Sequence, residues 1–475
     1  MNENMQNFRT EYDSVGPKNV PIDAYYGVQS LRASENFNIT GKRMHKELIV
    51  SLAEVKKAAA ITNNEARLMS KEIREAIVQS CDEIIAGKFH NEFIIDSIQG
   101  GAGTSGNMNA NEVIANRANE IMGGKLGVYD KVHPNDHVNM GQSTNDVYPT
   151  SGKMAALKLI PRTLDELRKL DDVLIEKSKE FDDVIKMGRT QMQDAVPIRL
   201  GQEFHAYSSV IKRNIVRLEK ASEGLKWVNM GASAIGTGIN VDIEYFKKIV
   251  PAINEVVNLD LHQAEDLVDG TQNLDGLLEV SSALKNCAVT LSKISNDLRL
   301  MSSGPRTGFG EINLPAKQNG SSIMPGKINP VIPEVMSQVA FNIIGNDITI
   351  TMAVEAGQLE LNAFEPVIFY KLYESIETLA NGVNTLRENC IAGITANRKR
   401  CKNLVDNSVG IITAIVPHVG YKVAAKIADR AIATGEPVSE LVLKEGILTK
   451  AELNEILDTI AMTGPGIAAK HLMAI

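Results

Sequence analysis

The chain has 475 residues, 44% of them hydrophobic and 23% charged, which is too long for one hydrophobic core and predicts two or three domains. A formal net charge of -8 lacks the Lys and Arg excess that a phosphate-binding surface needs, so nucleic acid is excluded as an expected partner. The first residues, Met-Asn-Glu-Asn-Met-Gln, lack the basic and apolar regions of a signal peptide, and no apolar run approaches the ~18 residues that span a bilayer. Cys81, Cys287, Cys390 and Cys401 show no metal-ligand spacing and read as reduced thiols of a cytoplasmic protein.

In chain order, the first polar stretch is Gln99–Gly106. Within it Gly101-Ala-Gly103-Thr-Ser-Gly106 spells GxGxxG, with Glu120 following. A dinucleotide site needs a strand before that loop and a second parallel strand after the helix. The segment after the helix near Glu112–Met122 has no buried strand run, so no nicotinamide cofactor is expected. His133-Pro-Asn-Asp-His137 comes next. Pro134 predicts a loop there, which breaks the one-face geometry of a metal-binding histidine pair. Structural hydrogen bonds are expected of both rings, and no metal site is expected.

Helical periodicity follows. Leu157, Ile160, Leu164, Leu167, Leu170 and Leu174 lie on one face, with Pro161 as the expected kink. A further helix covers roughly Leu200 to Trp227. From Leu277 the apolar positions are Val280, Leu284, Cys287, Leu291, Ile294, Leu298 and Met301, alternating steps of three and four. At ~1.5 Å per residue that seam predicts a helix close to 40 Å long. Ile368, Leu372, Ile376, Leu379, Val383 and Leu386 mark another. The pattern predicts a central long-helix bundle. The parts of the chain are an N-terminal domain (1–141), the bundle with its loops (142–396) and a small C-terminal domain (397–475), opened by the basic Asn397–Lys402. No fixed-period repeat points to a solenoid. Helices this long leave apolar faces that one chain cannot cover, so an oligomer is expected.

The stretches Gln99–Gly106, His133–Ser143, Met187–Asp194 and Gly304–Gly326 are rich in Asn, Gln, Ser, Thr and Gly. Gly320-Ser-Ser-Ile-Met-Pro-Gly326-Lys327 imitates a phosphate-binding loop. However, five residues separate its glycines instead of four, and Ile328 stands where a hydroxyl is required. Together these loops and the residues beside them offer Thr104, Asn107, Ser143, Thr144, Asn145, Thr190, Gln191, Ser321, Ser322, Lys327 and Asn329. Neutral donors around a single ammonium suit a small dicarboxylate, whose oxygens need many directed hydrogen bonds.

These motifs resemble the fumarase/aspartase superfamily along nearly the whole chain. Gly320–Pro330, GSSIMPGKINP, matches its signature GSSxMPxKxNP. Supporting matches are Gly103–Ala118, His133–Thr150, Gly188–Pro197 and Glu360-Leu-Asn362. The resemblance implies an all-α, three-domain fold and a homotetramer whose active sites take loops from three subunits, with no cofactor and no metal. It implies that Ser321 removes the Cβ proton, giving an aci-carboxylate. Thr104, Ser143, Thr144 and Ser322 would hold the β-carboxylate. Thr190, Lys327 and Asn329 would hold the α-carboxylate, and Asn145 and Gln191 would lie near the amine. Hydratases of the family carry histidine where this chain has Gln191, paired with a glutamate at the position of Glu334. An amide cannot donate a proton at a useful pKa. The resemblance therefore implies the ammonia-lyase branch, interconverting L-aspartate with fumarate and ammonia; the alternative is a class II fumarase. Lys327–Val335, Met140, Thr144 and Gln358–Asn362 fit that branch as well. Glu334 is expected to be structural. Gly106 and Gly141 depart from the family pattern beside contact residues.

Overall fold

A computed structural model describes residues 7–473, and helices carry its architecture, as the apolar spacing predicts. The main helices are α1 (Val28–Asn36), α2 (Lys46–Glu65), α3 (Lys71–Ile85), α4 (Thr104–Ile121), α5 (Thr144–Glu180), α6 (Leu200–Glu223), α7 (Ile243–Val257), α8 (Leu267–Gln272), α9 (Asp275–Met301), α10 (Val331–Glu355) and α11 (Glu365–Asn389). Shorter helices follow between Arg398 and Met462. Among the described residues, strands form only two-stranded ladders. Two are antiparallel hairpins, β1 (Phe8–Asp13) with β2 (Gly16–Pro21) and β3 (Ile185–Thr190) with β4 (Gln193–Arg199). Gly101–Gly106 leads from a loop directly into α4, with no strand before it.

The periodic seams are the buried stripes of the long helices. Every seam position of α9 from Leu277 to Met301 is buried, and so is every one from Ile368 to Leu386 in α11. α5 runs unbroken through Pro149 and Pro161. A proline inside a helix removes a rung of the hydrogen-bond ladder, and the buried positions Leu164, Leu167, Leu170 and Leu174 carry the helix onward.

The chain divides into two compact units, and the division falls within α5, α6, α9, α10 and α11. The first unit takes residues up to 164, 216–286 and 341–379. In it α2 packs on α3 and α7, and α4 packs on α3 and α1. The start of α1 is held by a carboxylate from α4. Glu112 accepts hydrogen bonds from the backbone N–H groups of Gly27, Gln29 and Ser30 at 2.9–3.1 Å, satisfying donors that a helix start leaves unpaired. α5 and α11 meet closely at Gly152, where an added Cβ would lie 2.0 Å from the Phe369 ring. The Tyr373 hydroxyl donates to the Gly152 carbonyl there at 3.0 Å.

The second unit takes 165–215, 287–340 and the chain from 380 onward. Tyr207 of α6 donates to Asp297 of α9 at 3.0 Å, and Arg387 of α11 pairs with Glu166 of α5 at 3.1 Å. A separate apolar core gathers Met187 of β3 with Val405, Ile411, Ile415, Ile427, Leu441, Leu453 and Ile456, so the β3–β4 hairpin is rooted in the C-terminal helices.

Candidate active site

In the first unit the candidate residues stand at two helix starts. Thr104 opens α4 behind Gly103, whose φ of +88° places it in the left-handed region. A Cβ on Gly103 would lie 2.3 Å from the Tyr148 ring, so only glycine admits this approach. One turn on, the buried Asn107 donates from Nδ2 to Thr144 Oγ1 at 3.0 Å and to Asn139 Oδ1 at 3.2 Å. Thr144 opens α5, and Ser143 Oγ accepts from the Asn145 N–H at 3.2 Å. Asn145 Nδ2 donates to the Ala234 carbonyl at 2.8 Å. Thr144 is thus tied to α4 through Asn107, with Ser143 and Asn145 beside it, and both helix starts present a positive dipole end.

Two charged residues that sequence reasoning missed support this wall. Asp146 is fully buried and accepts from the N–H groups of Ser143, Ser233 and Gly231 at 2.9–3.3 Å; burial pushes its carboxyl up to about 7. Lys56 is also fully buried and donates to Asn139 Oδ1 at 2.8 Å. Burial pulls its ammonium down to about 7, with the nearby Asp146 opposing. The signal for Lys56 lay in its spacing, since it shares the buried face of α2 with Leu52, Val55, Ala59 and Asn63.

His133–His137 corrects one expectation. Pro134–Val138 is a π-helical turn, not a loop. Pro134 occupies its first position, where a missing N–H costs nothing. Both rings do make structural hydrogen bonds: His133 Nδ1 accepts from the N–H groups of Asn135 and Asp136 at 3.3 and 3.2 Å, and His137 Nδ1 accepts from His133 N–H at 2.8 Å. At Gly106 a Cβ would lie 2.7 Å from Met44 Sδ, so the space of a side chain is already filled. Gly141 has φ +71° and faces the Tyr245 ring.

In the second unit Thr190 ends β3, and Gln191 and Met192 form the two-residue turn into β4. Their φ values of +53° and +65° are those of a primed hairpin turn, which glycine and asparagine normally supply. Thr190, Gln191 and Met192 are all exposed.

The signature loop closes on itself at its neck. Gly320 N–H donates to the Lys327 carbonyl at 2.9 Å, and Asn329 Nδ2 donates to the Gly320 carbonyl at 2.7 Å. A Cβ at Gly320 would sit 2.3 Å from the Lys327 carbonyl oxygen. Inside the loop Ser321 Oγ accepts two backbone hydrogen bonds, from Ile323 N–H at 3.1 Å and Met324 N–H at 2.9 Å. Two donors aimed at one hydroxyl oxygen favour its negative form. Ser322 and Lys327 are exposed, and among the described residues Lys327 has no ion-pair partner. Glu334, on the first turn of α10, lies 3.7 Å from Arg299. Among the described residues no group of three or more His, Cys, Asp or Glu side chains could hold a metal ion.

The chain matches the lyase family model over residues 16–345 and the fumarase C C-terminus model over 411–464. It belongs to this lyase family. It is 55% identical to the aspartate ammonia-lyase of Bacillus subtilis (strain 168), over 98% of each chain. Among solved structures it is similar to a fumarate lyase:delta crystallin from Brucella melitensis bound to cobalt, with a TM-score of 0.94 and 47% identity over 96% of this chain and 100% of that one. It is also similar to the class II fumarase from Schistosoma mansoni, with a TM-score of 0.92 and 35% identity over 96% of this chain and 99% of that one.

Proposed function

We propose that this protein is an aspartate ammonia-lyase, eliminating ammonia reversibly from L-aspartate to give fumarate. The observation that carries the reading is Ser321 Oγ held by two backbone N–H groups on the family's signature loop. Serine is a poor base in water, and those amides supply the stabilisation its alkoxide needs.

The alkoxide takes a proton from Cβ, and the electron pair moves into the β-carboxylate to form the doubly charged aci-carboxylate. Thr104, Ser143, Thr144 and Ser322 hold that charge. The positive dipole ends of the two helix starts favour that charge more as it builds, which is where catalysis requires it. Thr190, Lys327 and Asn329 hold the α-carboxylate. The pair then returns to form the double bond as the Cα–N bond breaks, anti to the proton taken. The ammonium leaves as neutral ammonia and needs no acid, which suits Gln191 and Asn145 beside the amine. Ser321 keeps the proton until water removes it.

Assembly is part of the proposal: a homotetramer in which each active site draws loops from three subunits. Phe341, Ile348 and Met352 support it, exposing 63%, 58% and 66% of their surface on one face of α10. The exposed Ile323, Met324 and Ile328 of the signature loop support it too. The three-domain division at 141 and 396 belongs to the same reading. So does a cytoplasmic location, which suits four free, buried cysteines; among the described residues no helix is long and apolar enough to cross a membrane.

Incubating the purified protein separately with L-aspartate and L-malate tests this. Fumarate, followed by its ultraviolet absorbance, is expected from aspartate with no organic cofactor added. Consumption of malate with aspartate inert would make it a class II fumarase, and turnover of neither would make it a helical scaffold.

A further inference from the structure

The turn that carries Gln191 is under strain. Gln191 and Met192 are both non-glycine residues in the left-handed region, which costs roughly 1–2 kcal/mol each. Such strain persists only where the surroundings over-determine it. Both residues are exposed, so the restraint must come from below the tip.

Three features supply it. The pairing of β3 with β4 slips between Met187 and Arg189, a bulge of β4 in which Ala195 and Val196 stand opposite Gly188. A Cβ there would lie 2.6 Å from the Val196 carbonyl oxygen, so only glycine lets the strands close over it. Beyond the bulge Arg189 turns inward: its Nη1 donates to Glu311 Oε1 at 2.8 Å and to the Met187 carbonyl at 3.2 Å. Its guanidinium carbon also lies 4.1 Å from the centre of the Phe309 ring. Glu311 is fully buried and immobilised through its main chain, donating to the Met301 carbonyl at 2.8 Å and accepting from Asn397 N–H at 2.8 Å. Its second oxygen lies 3.4 Å from Lys186 Nζ. On the other strand, Ser408 Oγ donates to Asp194 Oδ2 at 2.7 Å.

Arg189 is the residue immediately before Thr190. We infer that the ion pair of Arg189 with the buried Glu311, set by the β4 bulge opposite Gly188, positions Thr190 and Gln191 to receive the α-carboxylate and amine of the substrate. The inference rests on the function proposed above and assigns the pair no contact with substrate. Bulges beside reactive loops re-aim side chains, and a displacement of ~1 Å at a binding group can cost on the order of a hundredfold in rate.

The test compares steady-state kinetics of Arg189→Lys and Glu311→Gln in the full-length protein. Lysine keeps the charge but loses the planar fork and the ring contact. Glutamine keeps the shape and neutralises the buried carboxylate. Both variants are expected to raise KM for L-aspartate about tenfold or more, with kcat changed less, and to weaken inhibition by succinate, which lacks the amine, by a smaller factor. A purely structural role would lower kcat in proportion to folded protein and leave KM alone. Wild-type KM in both variants, or a fall in kcat alone that tracks lost folded protein, overturns the inference. If Arg189→Lys fails to fold, Glu311→Gln alone decides by the same criterion. A wild-type enzyme inert toward aspartate would sink the function reading as well, whereas variants with unchanged KM in an active enzyme sink only this inference.

Discussion

Lys327 stands exposed on the returning limb of the signature loop, its backbone carbonyl fixed to Gly320 and its ammonium without an ion-pair partner among the described residues. Lys327→Ala is expected to cost about 2–5 kcal/mol in kcat/KM for L-aspartate, the range for losing one partner of a desolvated charge pair. Unchanged kinetics would remove it from the site. At this scale the sequence exposes the candidate hydroxyls and amides, because polar residues concentrated in loops between apolar helices have little packing to do. Sequence does not expose what holds them. The amides that reach Ser321 are backbone groups and carry no residue letter. Lys56 and Asp146 look like ordinary surface charges until their helical faces are drawn.

Among the elements, the α3–α4 contact carries a titratable clamp. Arg117 of α4 grips both oxygens of Glu83 of α3 at 2.7 and 2.9 Å, and that hydrogen bonding holds the Glu83 carboxyl below its usual value of 4.5. A depressed folded pKa means that the ionised form stabilises the fold. The contribution is full above the unfolded pKa and is lost as pH falls through the lower folded one. Glu83→Gln is therefore expected to lose about 1 kcal/mol at neutral pH, discounted for partial exposure, and nothing once acid protonates the carboxyl in both states. Denaturant titrations at neutral and acid pH check this; an equal loss at both would contradict it. The long helices are the most legible elements, since a seam repeating every three and four residues has one physical solution. The two-residue turn at Gln191–Met192 is illegible: neither residue is a turn former, and the conformation is imposed by the bulge and ion pair beneath it. The π-helical turn at Pro134–Val138 hides for a related reason, because a proline marks equally well a helix start and a break.

For the whole molecule, Phe341, Ile348 and Met352 expose an apolar stripe along one face of α10, the kind of surface that a partner subunit covers. Under the tetramer proposal, Phe341→Asp combined with Ile348→Asp should release smaller species in sedimentation velocity and abolish turnover together, because sites built from several subunits cannot survive separation. Full activity in a dissociated chain would contradict shared sites. The long-helix bundle follows from helix periodicity, whereas assembly could be read only as apolar surface that one chain leaves uncovered.

The proposed elimination turns on one oxygen atom, Ser321 Oγ, which accepts two backbone hydrogen bonds from the loop that surrounds it. The direct measurement is turnover of L-aspartate by Ser321→Ala in protein that still folds, keeps its wild-type assembly and binds succinate. A serine base predicts a kcat lower by about 10²–10⁴-fold with substrate affinity largely retained. Turnover equal to that of the wild type would show that another group takes the proton.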